Sequence, residues 1–181
     1  TFTGSGASLT ALPAAQLTGS LPAISGASLT GLTSAQMPTG SVLQVVSGEI
    51  DTNDETSAST GYVNLGVELA ITPTLSDSKI LIMMSGMCSS DEDENFLYGS
   101  LFRDSTEIGE DFFLSSYDES SNNRRIDIWN RVYVDSPATT SAVTYSCRVR
   151  VIDGGSYEMG GWWLDVNWTH DTAIVLMEIA G

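Results

Sequence analysis

From Ser41 onward, apolar side chains recur at every second position in short runs rich in β-branched and aromatic residues, and turn chemistry separates the runs. Val143, Tyr145, Cys147, Val149 and Val151 alternate with Thr144, Ser146, Arg148 and Arg150. Ile126, Ile128, Val132 and Val134 alternate with Asp127, Trp129, Arg131 and Tyr133. A period of two sends successive side chains to opposite faces, so each run predicts a strand with one face on a core and the other for solvent or a partner. The spacing predicts strands near 42–50, 61–72, 79–88, 96–103, 107–114, 126–134, 143–152, 161–168 and 172–179. The run Ile80-Leu81-Ile82-Met83-Met84 is apolar on both faces. It predicts a central strand covered on both sides, one of them available to a neighbouring subunit. No stretch carries a helical period. Pro73 and Pro137 fall in connections, the second within the turn-rich segment from Asp135 to Ser141. The expectation for residues 41–181 is an all-β head, an antiparallel jelly-roll-like sandwich, for which eight or nine strands are a suitable number.

Residues 1–40 follow another rule. Gly6-Ala7-Ser8-Leu9-Thr10-Ala11-Leu12 returns as Gly26-Ala27-Ser28-Leu29-Thr30-Gly31-Leu32, and Ala15-Gln16 returns as Ala35-Gln36, a period of 20 residues. Leu9, Leu12, Leu17, Leu21, Ile24, Leu29, Leu32 and Met37 stand three to five positions apart among Gly, Ser, Thr, Ala and three prolines. Pro and Gly at this density break helices and central strands. A flexible linker would account for the small residues but not for regularly placed Leu and Ile. Identical chains wound around one axis would, because each supplies one apolar residue per layer and three together make an adequate core. The segment is therefore read as an extended, low-complexity trimeric stalk.

Charge sharpens this division. The chain has 181 residues and 23 Asp and Glu against 7 Lys and Arg, a formal net charge of -16, and the first charged residue is Glu49. A surface of this sign repels phosphate, so nucleic-acid binding without sequence preference is excluded and an anionic membrane is disfavoured. Membrane insertion is not expected, since no apolar run approaches the roughly 20 residues a bilayer requires. Two cysteines, Cys88 and Cys147, lack zinc-ligand spacing and fall in predicted strands, where a buried small hydrophobe is expected. Thr1 in place of an initiator Met is what a processed or truncated chain would show.

The stretch Ser25-Gly26-Ala27-Ser28-Leu29-Thr30-Gly31-Leu32, followed by Pro38-Thr39-Gly40-Ser41-Val42-Leu43-Gln44-Val45-Val46, resembles the stalk-to-head junction of phage tail-fibre proteins, particularly those of marine cyanobacterial phages. Further motifs follow in the same order: Ile71-Thr72-Pro73 with Ser78 to Ile82, Leu101 to Gly109, Asp135 to Ser141 with Val143-Thr144-Tyr145, and Leu176 to Gly181. The pattern is lost at 91–95, 111–125 and 154–170. The resemblance implies a homotrimeric virion protein, extracellular when it works, that adsorbs to a bacterial surface glycan or outer-membrane component through its head. A non-enzymatic structural or decoration role on a virus particle is the other reading.

Candidate chemistry is sparse, and no enzymatic activity is expected. His170 is the only histidine and lies beside Trp168 and Asp171 at an expected strand end, not on a nucleophile elbow. Paired carboxylates carry no signal in a chain this acidic. No cofactor is expected, apart from a structural calcium. Asp91, Asp93 and Asn95 place alternate oxygens as a calcium loop would, although Phe96 occupies the position where an EF-hand needs Gly, and a solvated acidic loop is the simpler reading of the run. Alternation from Gly161 puts Trp163, Asp165 and Asn167 on one strand face, a ring to stack on a sugar with a carboxylate and an amide to bond its hydroxyls. Tyr157 lies nearby, and Arg124 and Arg125 form a basic pair suited to acidic sugars. Packing of Trp163 against a neighbouring subunit is the competing reading.

Overall fold

The computed structural model describes residues 33–51, 55–57, 60–90, 97–115, 125–151, 157–159 and 171–181. They belong to a compact unit spanning Thr33–Gly181. Among the described residues a short 3-10 turn at Ser34–Gln36 precedes eleven strands. The first sheet is built on β1 (Val42–Asp51), β11 (Asp171–Ile179), β4 (Lys79–Ser90) and β8 (Arg125–Asp135), side by side in that order. The second is built on β3 (Val63–Ile71), β9 (Val143–Val151), β5 (Leu97–Arg103) and β7 (Phe112–Ser115). Short strands extend them: β10 (Tyr157–Met159) pairs with the end of β4 and with β2 (Glu55–Ser57), and β6 (Thr106–Glu107) pairs with β5. All pairings are antiparallel. Taken alone in chain order, the eight long strands lie first, eighth, third, sixth in one sheet and second, seventh, fourth, fifth in the other, which is jelly-roll wiring.

The core lies between the sheets. Ile80, Ile82, Met84 and Cys88 of β4 and Ile174 and Leu176 of β11 meet Val143, Tyr145, Cys147, Val149 and Val151 of β9 and Leu97 and Leu101 of β5. Both cysteines are buried thiols outside any disulfide, and burial pushes the Cys147 thiol up to about 12. β4 crosses this core at close quarters: a Cβ on Gly86 would sit 2.7 Å from Thr172 Oγ1 and 3.2 Å from the Trp129 ring.

In β8 the expected alternation holds, and the face turned inward is the one with the larger side chains. Trp129 is buried, with Arg131, Tyr133 and Asp135 half-buried on the same side, while Ile128, Val132 and Val134 point away at 77%, 61% and 51% exposure. The larger side chains are needed inside because this edge of the sandwich must reach across to β5, β7 and β9. Trp129 meets Phe112, Arg131 lies 5.1 Å over the Phe112 ring, and Asp135 Oδ2 accepts bonds from Arg103 Nη1 and Tyr145 Oη, both at 2.7 Å. The strand expected at 107–114 is two strands, because Ile108 N and Gly109 N both donate to Leu101 O and turn the chain between β6 and β7. The strand expected at 161–168 lies outside the described residues.

The outer face of the first sheet follows from this register. Val134, Leu81, Met177 and Val45 form one row across four strands, and Val132, Met83, Val175 and Ser47 form the next. Ile128 and Met87 pair at the far end.

The two ends of the sandwich differ. At one, Gly40 N donates to Ala180 O (2.8 Å), Ala180 N to Ser41 O (2.9 Å) and Thr39 Oγ1 to Gly181 O (3.0 Å), so the segment leading into β1 lies beside the end of β11. The Arg103–Asp135–Tyr145 bonds and the 72–78 connection are at this junction end. At the other end lie Asp51 opposite Asp171, Ser90 opposite Arg125, and Leu97 opposite Val151 and Ser115. The bond from Cys88 Sγ to Leu114 O (3.3 Å) joins the two sheets there.

Candidate functional site

The outer face of the second sheet carries a cluster of rings, arginines and a carboxylate. Its register puts Arg150 of β9 opposite Tyr98 of β5, and Tyr98 opposite Phe113 of β7. Arg148 lies between Asn64 of β3 and Ser100 of β5. Tyr62, just before β3, closes the group. Tyr98 and Phe113 meet edge to face at 5.7 Å between centroids, and Tyr62 and Phe102 at 5.4 Å. The Arg150 guanidinium stands 5.4 Å from the Tyr62 ring centre and 5.5 Å from that of Tyr98, and Arg148 stands 4.4 Å over Phe102. Phe113 is 49% exposed, and Tyr62, Tyr98, Arg148 and Arg150 are half-buried.

Asp111 ties the cluster together. It accepts from Arg150 Nη2 at 2.5 Å and from the Tyr62 hydroxyl. Those two bonds, Arg150 first, hold its carboxyl below the usual carboxylate range. Burial and the bond to Asp111 push the Tyr62 phenol up to about 12, and Asp111 raises the Arg150 guanidinium further. At any biological pH the cluster is therefore a fixed carboxylate–guanidinium pair with a protonated tyrosine. Arg148 Nη2 donates to Asp104 O at 2.5 Å, which fixes its plane over Phe102. Asn64 Nδ2 donates to Glu68 Oε2 at 2.6 Å beside it. The arrangement offers ring faces for stacking and guanidinium N–H groups, five on each arginine, some of them committed. That chemistry suits a hydroxyl-bearing ring compound.

The residues singled out from the sequence fall elsewhere. Trp163, Asp165, Asn167, Arg124 and the calcium candidates Asp91, Asp93 and Asn95 lie outside the described residues, as does His170. Tyr157 and Arg125 are placed by their backbone: Tyr157 opens β10, Arg125 opens β8, and both lie opposite Ser90, one on each side of β4. The described strands therefore bring these two to one row at the end of the sandwich away from the junction. Tyr62, Tyr98, Asp111, Phe113, Arg148 and Arg150 were not singled out from the sequence. The alternation that puts Arg148 and Arg150 on one face was visible there. The pairing that brings Tyr98 and Phe113 beside them was not, since strand order is absent from a single strand's pattern.

No protein-family model matches the chain, and no curated protein matches it. Among solved structures the chain is similar to one in the structure of infectious bursal disease virus Gx strain, with a TM-score of 0.42 and 13% identity. That match covers 89% of this chain and 42% of the other, so the chain spans less than half the length of the structure it matches.

Proposed function

We propose that the protein is the head and adjoining stalk of a homotrimeric virion fibre, and that the head binds a glycan or other component of a bacterial surface. The observation that carries this reading is the aromatic–arginine face of the second sheet, which sets rings and guanidinium groups side by side at the surface of the sandwich. Its polarity supports the reading. The motifs that resemble tail-fibre proteins, at 71–82, 101–109, 135–145 and 176–181, converge on the junction end, beside the segment that follows the stalk-like repeat. The stretches where the resemblance stops are bounded by strand ends at the opposite end, where an adsorbing surface belongs. A calcium ion held by Asp91, Asp93 and Asn95 would serve the same end by relieving the repulsion of three chains at -16 each.

Fluorescently labelled full-length protein should decorate intact cells of a susceptible bacterial strain. Phe113→Ala and Arg150→Ala, both on a half-exposed surface, should each weaken decoration about tenfold or more while leaving the circular dichroism unchanged. Normal decoration by both folded variants would remove this face as the site and shift it to Trp163, Asp165 and Asn167. The second reading, a structural or decoration protein of a virus particle, is favoured by the apolar outer face of the first sheet, and no decoration of any strain would leave it standing.

A further inference from the structure

We infer that the outer face of the first sheet is the surface through which copies of this chain associate, with the β1–β11–β4–β8 faces turned toward one another. The inference names the surface behind the oligomer proposed above and does not depend on the ligand.

Three observations commit the face to a second copy. The first is size. Four strands spaced about 4.8 Å apart and about eight residues at about 3.3 Å each give a footprint of about 500 Å2, so two such faces reach about 1,000 Å2. That is the area a specific interface has to clear, and it is at the upper end of what a monomer leaves contiguous and apolar. The second is charge. The molecule carries -16, yet the two central rows hold no charged residue; Asp51 and Asp171 pair toward the far end, and the charges nearest the rows are Glu49 at the β1 edge and Lys79, the one lysine in the chain, at the junction margin. Both are exposed, and neither has an ion-pair partner among the described residues. Elsewhere, two copies would bring acidic surfaces together. Here the two central rows are uncharged, so their apolar burial brings no like charges into direct contact and is opposed only by the long-range repulsion of the whole chains. The third is continuity. Val42 and Val45, both 53% exposed, stand on the edge strand β1, within the stretch of sequence that carries no charge before Glu49.

Val132→Asp places a carboxylate in the middle of the patch, on an edge strand where the side chain is already exposed, so the fold should survive. Sedimentation equilibrium of the full chain should give a defined oligomer for the wild type. The V132D variant should show a dissociation constant raised about 100-fold or more, with an unchanged circular dichroism spectrum. Should V132D fail to fold, Ile128→Asp, at a position 77% exposed, takes its place. A wild type that is monomeric at micromolar concentration, as it would be if residues 1–32 of the same chain covered the face, overturns the inference. So does a folded variant that sediments like the wild type. A wild-type dimer that V132D dissociates keeps the surface and overturns only the trimer, and loss of cell decoration without dissociation bears on the ligand alone.

Discussion

Glu178 is a fully buried carboxylate in an acidic chain, and its surroundings explain why it stays charged. Its Oε1 accepts from Thr74 N (2.7 Å), Thr74 Oγ1 (3.0 Å), Leu75 N (3.2 Å) and Ser78 Oγ (2.7 Å), and its Oε2 accepts from Gln44 Nε2 (2.6 Å). Burial alone would raise its pKa, but these donors outweigh burial and hold the carboxyl below its ordinary value of 4.5. One side chain thereby ties β11 to β1 and to the 72–78 connection at the junction end. Glu178→Gln sets an amide N–H2 against the Gln44 amide and weakens the remaining bonds, so it should destabilise the fold by about 1–3 kcal/mol in chemical denaturation at pH 7. Because the folded carboxyl titrates below its unfolded value, its contribution is complete above pH 4.5 and is lost as the pH falls through the folded value. The stability gap between wild type and E178Q should therefore narrow on acidification below pH 4.5 and stay constant above it.

At the scale of elements, β4 and β8 show how far a pattern can be read. The two-faced apolar run at Ile80–Met84 predicted a central strand, and β4 is central, flanked by β11 and β8; Ile80, Ile82 and Met84 lie on the core, while Leu81 and Met83 are half-buried on the outer face. In β8 the period of two was legible but its sense was not. Hydrophobicity favours Ile128, Val132 and Val134 for the core, whereas the span to the other sheet requires Trp129 and the longer reach of Arg131, Tyr133 and Asp135. Gly86 belongs to the same crossing. Gly86→Ala would force its methyl onto Thr172 and the Trp129 ring, and should cost about 1–3 kcal/mol in urea denaturation, with Trp129 fluorescence altered in the native state. An alanine at this position as stable as the wild type would show that β8 can move outward.

For the whole molecule, the sandwich separates three surfaces: an apolar face, an aromatic–arginine face and a junction end. With -16 on each copy, association works against long-range repulsion that salt relieves, since the Debye length falls from roughly 30 Å at 0.01 M to about 10 Å at 0.1 M. The oligomer should tighten as sodium chloride rises through this range in sedimentation equilibrium, and an oligomer that loosens with salt would place charge pairs, not apolar burial, at its interface. The sequence by itself determined the all-β class, most of the strands, the uncharged repeat and the imbalance of charge, because side-chain period, turn chemistry and composition are local properties of a chain. Tertiary structure alone decided which face of β8 is inside, that Tyr98, Phe113 and Arg150 stand together, and that the first sheet is left with an open apolar face. Each of these depends on which strands lie side by side, a choice made by long-range packing between residues such as Trp129 and Phe112 that no local pattern records.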